Sequence, residues 1–496
     1  MSLSFRQLSF RYFPDGPDVI SQLSGEIPDG RITVLAGPSG QGKSTLLYLT
    51  AGLYPDAAGQ ITSGQVLING EDPAALPPRQ RCHLTGLLFQ NPDLQFCLDT
   101  VENELAFCLE NLALPPAAIT AAVAKAVDFA GLSALRQRQL VTLSGGEKQR
   151  VALACLRLLQ PRWLLLDEPL ANLDAASGRC LLQRLRRWQQ EAGFSVLAVD
   201  HRIENWLDYA DELCLLRPDG SLSAPQPFPQ QPQERQAFDS WLQQHGLIVP
   251  GRPYREQADR LQTSVPWPAA SAAVAAGAGM PQTLVLQDLT LQQGSRYLLR
   301  QVKASFQTGK VYALLGPSGC GKSTLLRAIL GLNRYQGNIW LEGKRLKPGR
   351  PPRPGSLGLI TQSPQDQFVG GSVWEEISAG QPDSAASRKQ AETVLRQIRL
   401  WRFRDLSPYQ LSQGQQRRLG VASLLLAPCR VLLCDEPTYA QDLAATLTLM
   451  AQLLETCRKG GRLLIFTTHD RRLAFEYADE VLEIQGETLQ HAQFES

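Results

Sequence analysis

The stretch "GPSGQGKST" occupies residues 37–45, and "GPSGCGKST" repeats it at 316–324. Each follows a short apolar run, "RITVLA" (31–36) or "KVYALL" (310–315). Each leads into a segment with apolar residues at helical spacing, "STLLYLTAGL" or "STLLRAILGL". Strand, glycine loop and helix in that order are the context a phosphate-binding loop requires. Gly37, Gly40 and Gly42 let the backbone curl until its N–H groups converge on phosphate oxygens at the positive end of the helix. Lys43 adds a point charge for the β- and γ-phosphates, and the Ser44 hydroxyl is a ligand for Mg²⁺. Pro38, Ser39, Gln41 and Thr45 complete the loop. Gly316, Pro317, Ser318, Gly319, Cys320, Gly321, Lys322, Ser323 and Thr324 repeat it. A plain glycine turn between strand and helix needs neither the Lys nor the Ser.

The repetition extends along the chain. Lys43 pairs with Lys322 at an offset of 279, and "LSGGEKQR" (143–150) pairs with "LSQGQQRR" (411–418) at 268. "LLLDEP" (164–169) with "LLCDEP" (432–437), and His201 with His469, keep the offset of 268. Motifs in one order at nearly one offset indicate a duplicated domain. Residues 1–220 form the first copy and 283–496 the second. Between them, 221–282 is rich in Pro, Gln and Ala and reads as a linker without activity, with a short helix around 235–247.

In each copy, buried strand patterns such as "RWLLLD", "FSVLAVD", "RVLLCD" and "RLLIFTT" alternate with helices. That pattern predicts an α/β fold with a mainly parallel sheet covered on both faces and ligands at the carboxyl ends of its strands. The 496 residues carry 49 Lys and Arg against 47 Asp and Glu, a balance that argues against a nucleic-acid coat. Ten cysteines without a CxxC pair read as reduced thiols, several of them buried. The N-terminal "MSLSFRQLSFRYF" has no signal-peptide pattern. No run reaches the roughly 18–20 apolar residues needed to span a bilayer.

The acidic pairs sit at strand ends. Asp167 and Asp435 are placed to hold Mg²⁺, and Glu168 and Glu436, one residue on, can orient or deprotonate the attacking water. Pro169 and Pro437 end the strands and leave both carboxylates at an open edge. His201 and His469, two of only five histidines, occupy matching strand ends and can hydrogen-bond a γ-phosphate.

Phosphate loop, then Gln90, "LSGGE", "LLLDEP", Asp174 and His201 resemble the ATP-binding cassette (ABC) ATPases. The resemblance covers both copies, nearly everything except the linker. It implies two P-loop cassettes in tandem, each with a parallel core, an antiparallel β subdomain and a helical subdomain. It also implies a head-to-tail pair with ATP and Mg²⁺ at the joint. Lys43 would then share a nucleotide with Ser412, Gln413, Gly414 and Gln415. Lys322 would share one with Ser144, Gly145, Gly146 and Glu147. Fusing the two cassettes keeps each half-site at high effective concentration near its complement. By the same resemblance Tyr12 stacks on adenine, and Gln90 and Gln362 reach Mg²⁺ or water.

The two sites are expected to be unequal. The second signature has Gln413 where a Gly is usual, and Gln293 stands where Tyr12 does. Either Tyr297 substitutes there, or adenine binding is weaker. "LANLD" and "TYAQD" differ, although Asp174 and Asp442 correspond. Both Glu–His pairs persist, which implies two hydrolytic sites of different rate.

"FQNPDLQF" after the first copy's strand, and more weakly "TQSPQDQF" in the second, resemble the ATPases of energy-coupling factor (ECF) transporters. These import vitamins or transition-metal ions. The resemblance implies helical subdomains at about 91–142 and 363–410 that grip a transmembrane coupling protein, and a small substrate-binding membrane protein beside it. It also implies a peripheral location on the cytoplasmic face of the membrane. Fused sugar-importer ATPases fit less well because their second phosphate loop is typically degenerate. Ribosome-associated tandem cassettes would be expected to have a highly charged linker. DNA-repair cassettes are larger or carry zinc-binding cysteines.

Overall fold

"ITVLA" at 32–36 is buried at every position, as a strand covered on both faces must be, and it lies in the middle of its sheet. The computed structural model describes residues 2–38, 40–171, 173, 175–217, 219–260, 283–294, 296–317, 319–353, 355–411, 413–427, 429–437 and 443–493. They divide into two compact units, Met1–Pro250 and Gly251–Ser496.

The first unit runs β1 (Ser2–Arg11), β2 (Ile20–Pro28), β3 (Ile32–Ala36), α1 (Lys43–Thr50), β4 (Gln60–Ile68), α2 (Pro78–Leu84) and β5 (Thr85–Leu88). It continues through α3 (Val101–Glu110), α4 (Pro116–Ala130), α5 (Gly145–Leu159), β6 (Trp163–Asp167), α6 (Ala175–Ala192), β7 (Ser195–Val199), β8 (Glu212–Leu215), β9 (Gln226–Pro227) and α7 (Pro232–Gln244). The main sheet has the order β5-β6-β7-β3-β8-β9, parallel except for β9. A separate antiparallel sheet, β2-β1-β4, packs through Leu3, Phe5 and Phe10 against one face of the core. Helices α3, α4 and α5 share their own apolar cluster, including Val101, Leu105, Val123 and Val151, and form the helical subdomain.

The second unit begins with α8 (Tyr254–Arg260), β10 (Leu284–Gln293), β11 (Arg296–Phe306), β12 (Val311–Leu315), α9 (Lys322–Ile329), β13 (Gln336–Leu341), β14 (Lys344–Arg345) and β15 (Leu357–Ile360). Then come α10 (Val373–Ser378), α11 (Ala385–Gln397), α12 (Gln413–Leu426), β16 (Val431–Cys434), α13 (Leu443–Gly460), β17 (Leu463–Thr467), α14 (Arg471–Tyr477), β18 (Glu480–Gln485) and β19 (Thr488–His491). Its order β15-β16-β17-β12-β18-β19 matches the first sheet, with β19 as the antiparallel edge. Its antiparallel sheet is β11-β10-β13-β14. The tandem α/β architecture with parallel cores, antiparallel subdomains and helical subdomains is as expected.

The expected spacer differs in part. Residues 221–250 belong to the first unit: β9 pairs with β8, and Phe228, Phe238, Leu242 and Val249 are buried in its core. The low apolar content misleads because nearly every apolar residue present is used. Proline is tolerated on an edge strand and in a first helical turn, where Pro227 and Pro232 fall. The helix starts at Pro232, earlier than expected, with Gln231 and Glu234 capping it reciprocally. Tyr254 of α8 is buried in the second unit, its hydroxyl donating to Asp470 Oδ2 at 3.2 Å. Residues 261–282 lie outside the described residues. Among the described residues, no helix is long and apolar enough to cross a membrane.

Candidate functional site

Each phosphate loop links a buried central strand to a helix. At Gly37 the backbone has φ +149°, and a Cβ there would come within 2.4 Å of the Leu216 carbonyl oxygen, so glycine is required. Gly42 caps α1 in the left-handed region without a side-chain cap, and the positive end of the helix faces the loop, as an anion site requires. Lys43 is buried, and its Nζ donates to the carbonyls of Gly37 (2.9 Å) and Pro38 (2.8 Å) inside the curl. Lys322 does the same with Gly316 (2.7 Å) and Pro317 (3.1 Å). Ser39 and Ser318 lie outside the described residues.

The strand ends meet these loops. Ser44 Oγ donates to Asp167 Oδ1 at 2.8 Å and Ser323 Oγ to Asp435 Oδ1 at 3.0 Å. A hydroxyl beside a carboxylate is a set of hard oxygen donors, and it fits Mg²⁺. Burial, then the charge of Glu168, pushes the Asp167 carboxyl up to about 6, against the hydrogen bonds from Ser44 and Tyr48. Tyr48 Oη donates to Asp167 Oδ2 at 3.0 Å, a partner that sequence reasoning missed. The second cassette has no tyrosine at the matching helical position, Arg327, and uses Thr467 Oγ1 instead, donating to Asp435 Oδ1 at 2.9 Å.

One residue on, Glu168 and Glu436 both adopt φ +45°, the left-handed region that a side-chain-bearing residue rarely enters. Such strain persists only where surrounding contacts over-determine it. Here the turn directly follows the strand and its aspartate, and the Glu168 carboxylate reaches Gln90 and His201. Glu168 N donates to the Val199 carbonyl (2.9 Å), and Glu436 N to Thr467 Oγ1 (2.9 Å).

The carboxylates gather the other expected residues. Gln90 Nε2 donates to Glu168 Oε2 at 2.9 Å, and His201 Nε2 lies 3.1 Å from Glu168 Oε1. Burial would push Glu168 up, but His201, Lys43 and Gln90 outweigh it and hold the carboxyl below the usual carboxylate range. In the second cassette the contacts are longer: Gln362 Nε2 to Glu436 Oε2 is 3.4 Å and His469 Nδ1 to Glu436 Oε1 is 3.7 Å. Lys322 Nζ is 4.0 Å from Glu436 Oε1. Asp200, beside His201, is a further buried carboxyl pushed up by burial, and it accepts from Trp206 Nε1 at 2.9 Å.

Tyr12 sits over α1, its hydroxyl 2.8 Å from Thr45 Oγ1 and its ring edge-on to Phe10 and Tyr54. In the second cassette Gln293 is exposed, and the Tyr297 ring carries the Arg300 guanidinium at 4.0 Å.

The signature stretch opens α5. Ser144 caps the helix reciprocally with Glu147, whose Oε2 accepts from Ser144 N at 2.7 Å. Gly145 and Gly146 therefore begin the helix with their N–H groups at its positive end. In the second cassette α12 starts at Gln413 with Gly414 and Gln415 in its first turn. Ser412, Asp174 and Asp442 lie outside the described residues, and so does the side chain of Gln413.

The family profile for ABC transporters matches residues 20–171 and 299–439. The chain is 33% identical over 492 residues to the "Putative HMP/thiamine import ATP-binding protein YkoD" of Bacillus subtilis, covering 97% of this chain and 89% of that one. It is 31% identical over 524 residues to the "Putative ABC transporter ATP-binding protein SCO2324" of Streptomyces coelicolor, covering 98% and 93%. Among solved structures, a "Model of ribosome-bound archaeal Pelota and ABCE1" aligns with a TM-score of 0.67 at 20% identity, over 98% of this chain and 78% of that one, a likeness of fold. With the profile matched once in each cassette and two intact phosphate loops, the chain belongs to the ABC transporter family, as a tandem protein that binds and hydrolyses ATP.

Proposed function

We propose that the chain is the energising subunit of an ECF-type importer for a vitamin or a transition-metal ion. In this reading it works from the cytoplasmic face of the membrane on separate transmembrane and substrate-binding subunits. The observation that carries the proposal is the 2.9 Å contact between Gln90 and Glu168. Gln90 opens the segment leading into the helical subdomain, so the hydrolytic carboxylate and the subdomain that would face a partner share one contact. The relative named for HMP/thiamine import narrows the cargo class.

The residues then act as follows. Lys43, Lys322 and the loop N–H groups bind the β- and γ-phosphates. Ser44, Gln90 and Asp167 in one cassette, and Ser323, Gln362 and Asp435 in the other, would hold Mg²⁺. Bound there, the ion supplies neutralisation of charge on the phosphate oxygens. Glu168 and Glu436 accept the proton of the attacking water as its oxygen bonds the γ-phosphorus and the β–γ bridge breaks, releasing ADP and phosphate. His201 holds the Glu168 carboxylate, and His469 stands more loosely beside that of Glu436. As the family resemblance implies, each nucleotide would be shared between the phosphate loop of one cassette and the signature residues of the other, with ATP closing the pair and hydrolysis reopening it. Tyr12 stacks on adenine at one site only, and the two rates differ.

The test is affinity purification of the full chain from membranes solubilised in mild detergent. Integral membrane proteins should co-elute, and mass spectrometry of the small binding subunit should identify its ligand. Recovery without any integral protein, together with sedimentation on ribosomes, would overturn the reading.

A further inference from the structure

Arg417 lies in the first turns of α12, and only 3% of it is exposed. Main-chain carbonyls take its guanidinium N–H groups. Nε donates to Pro437 O at 2.9 Å and Nη2 to Glu436 O at 2.5 Å. Nη1 donates to Thr361 O and, at 3.2 Å, to Gln362 O. One side chain thus ties the helix of the second signature stretch to two other segments. The first carries Gln362 and the second carries Glu436.

The first cassette has a neutral side chain at the matching position. Gln149 occupies the same place in "LSGGEKQR" that Arg417 occupies in "LSQGQQRR". It is fully buried, and neither its Oε1 nor its Nε2 has a hydrogen-bond partner among the described residues. There the glutamine, carboxylate and histidine contact one another directly at 2.9 and 3.1 Å, against 3.4 and 3.7 Å in the second cassette. Burying a guanidinium costs several kcal/mol unless its donors are satisfied, and the planar fork is suited to bridging several oxygens at once. Such a group in the second cassette, where the side-chain contacts are longer, points to a task of alignment.

We propose that Arg417 is the positioning residue of the second ATP site, holding Gln362 and Glu436 in register with the signature helix through their backbones. The inference rests on the reading of Glu436 as the hydrolytic carboxylate. It adds a residue to that site and makes its geometry depend on a buried positive charge. Burial does lower the guanidinium, to about 10, which leaves it charged at neutral pH.

The test compares the full chain with Arg417→Gln, Arg417→Lys and Glu436→Gln in steady-state ATP hydrolysis, with thermal melting to confirm folding. The loss caused by Glu436→Gln measures the second site's share of turnover. Arg417→Gln should reproduce most of that loss in kcat, with KM for ATP changed by less than about twofold. Arg417→Lys keeps the positive charge but not the planar fork that reaches several carbonyls at once, so it should recover only part of the kcat lost in Arg417→Gln. Wild-type kcat in folded Arg417→Gln overturns the inference, as does a loss of kcat in Arg417→Lys equal to that in Arg417→Gln. If Arg417→Gln does not fold, a folded Arg417→Lys with kcat equal to that of the natural chain overturns it alone. Wild-type turnover in Glu436→Gln, by contrast, refutes the reading of Glu436 itself.

Discussion

The two histidines test whether the two sites hydrolyse ATP at different rates. His201 Nε2 lies 3.1 Å from Glu168 Oε1, with side-chain exposures of 12% and 15%. A hydrogen bond to a charged group in such a place is worth about 1.5–3 kcal/mol. At about 1.4 kcal/mol per tenfold in rate, His201→Ala should slow hydrolysis at the first site by roughly 10- to 150-fold. His469 Nδ1 stands 3.7 Å from Glu436 Oε1, beyond hydrogen-bond length, with exposures of 21% and 17%. A looser ion contact of that kind contributes about 0–1 kcal/mol, so His469→Ala should cost no more than about fivefold at its site.

The assay is phosphate release by the full chain at saturating ATP, comparing each single variant and the pair Glu168→Gln with Glu168→Gln/His201→Ala. If His201 works through Glu168, its removal should add little once the carboxylate is gone. The pH profile carries a sign as well. His201 is among the groups that hold Glu168 down against burial. Without it burial pushes the carboxyl up, so the acid limb of the rate profile should move to higher pH and the deficit should grow as pH falls. A loss in His469→Ala equal to or larger than that in His201→Ala would refute the argument. Full additivity of His201→Ala with Glu168→Gln would do so too.

Tyr48→Phe removes a donor from the buried Asp167 and should cost about 1–3 kcal/mol in urea denaturation of the first cassette. Because Tyr48 opposes the rise of Asp167 to about 6, the same variant should need higher pH to reach full ATP binding. Gly37→Ala drives a Cβ into the Leu216 carbonyl and should weaken binding of a fluorescent ATP analogue by more than about tenfold, with the second phosphate loop as an internal control. Phe238→Ala should destabilise the first unit by about 3–5 kcal/mol, because α7 is part of its core. A chain of undiminished stability would show that this segment is a free spacer after all.

What could be read from the chain in advance was whatever depends on neighbours in sequence. A phosphate loop between strand and helix, a carboxylate pair after four apolar residues and a histidine after a strand each announce their place by spacing alone. The contacts of Tyr48 and Thr467 with the two aspartates could not be read, because each joins residues more than thirty positions apart through side chains that also suit an ordinary core. The segment at 221–250 was misread for a different reason. Composition averages over a stretch, whereas burial is decided by its few apolar residues, and Phe228, Phe238 and Leu242 are enough to pin it.

The duplication itself shows which parts of the site tolerate change. Glu168 and Glu436 have the same φ of +45°, so the strained turn that presents the carboxylate is common to both copies. What holds that turn is not. In the first cassette a backbone carbonyl at Val199 receives the Glu168 N–H, and the carboxylate is gripped by glutamine and histidine side chains. In the second, Thr467 receives the N–H, also donates to Asp435, and the guanidinium of Arg417 takes the Glu436 carbonyl. A strained conformation constrains only the sum of the contacts that maintain it. The supports around such a turn can therefore diverge between copies while the carboxylate stays in place. If the two sites differ in rate as proposed, the difference should accordingly trace to the supports, since the proposed reacting groups are the same.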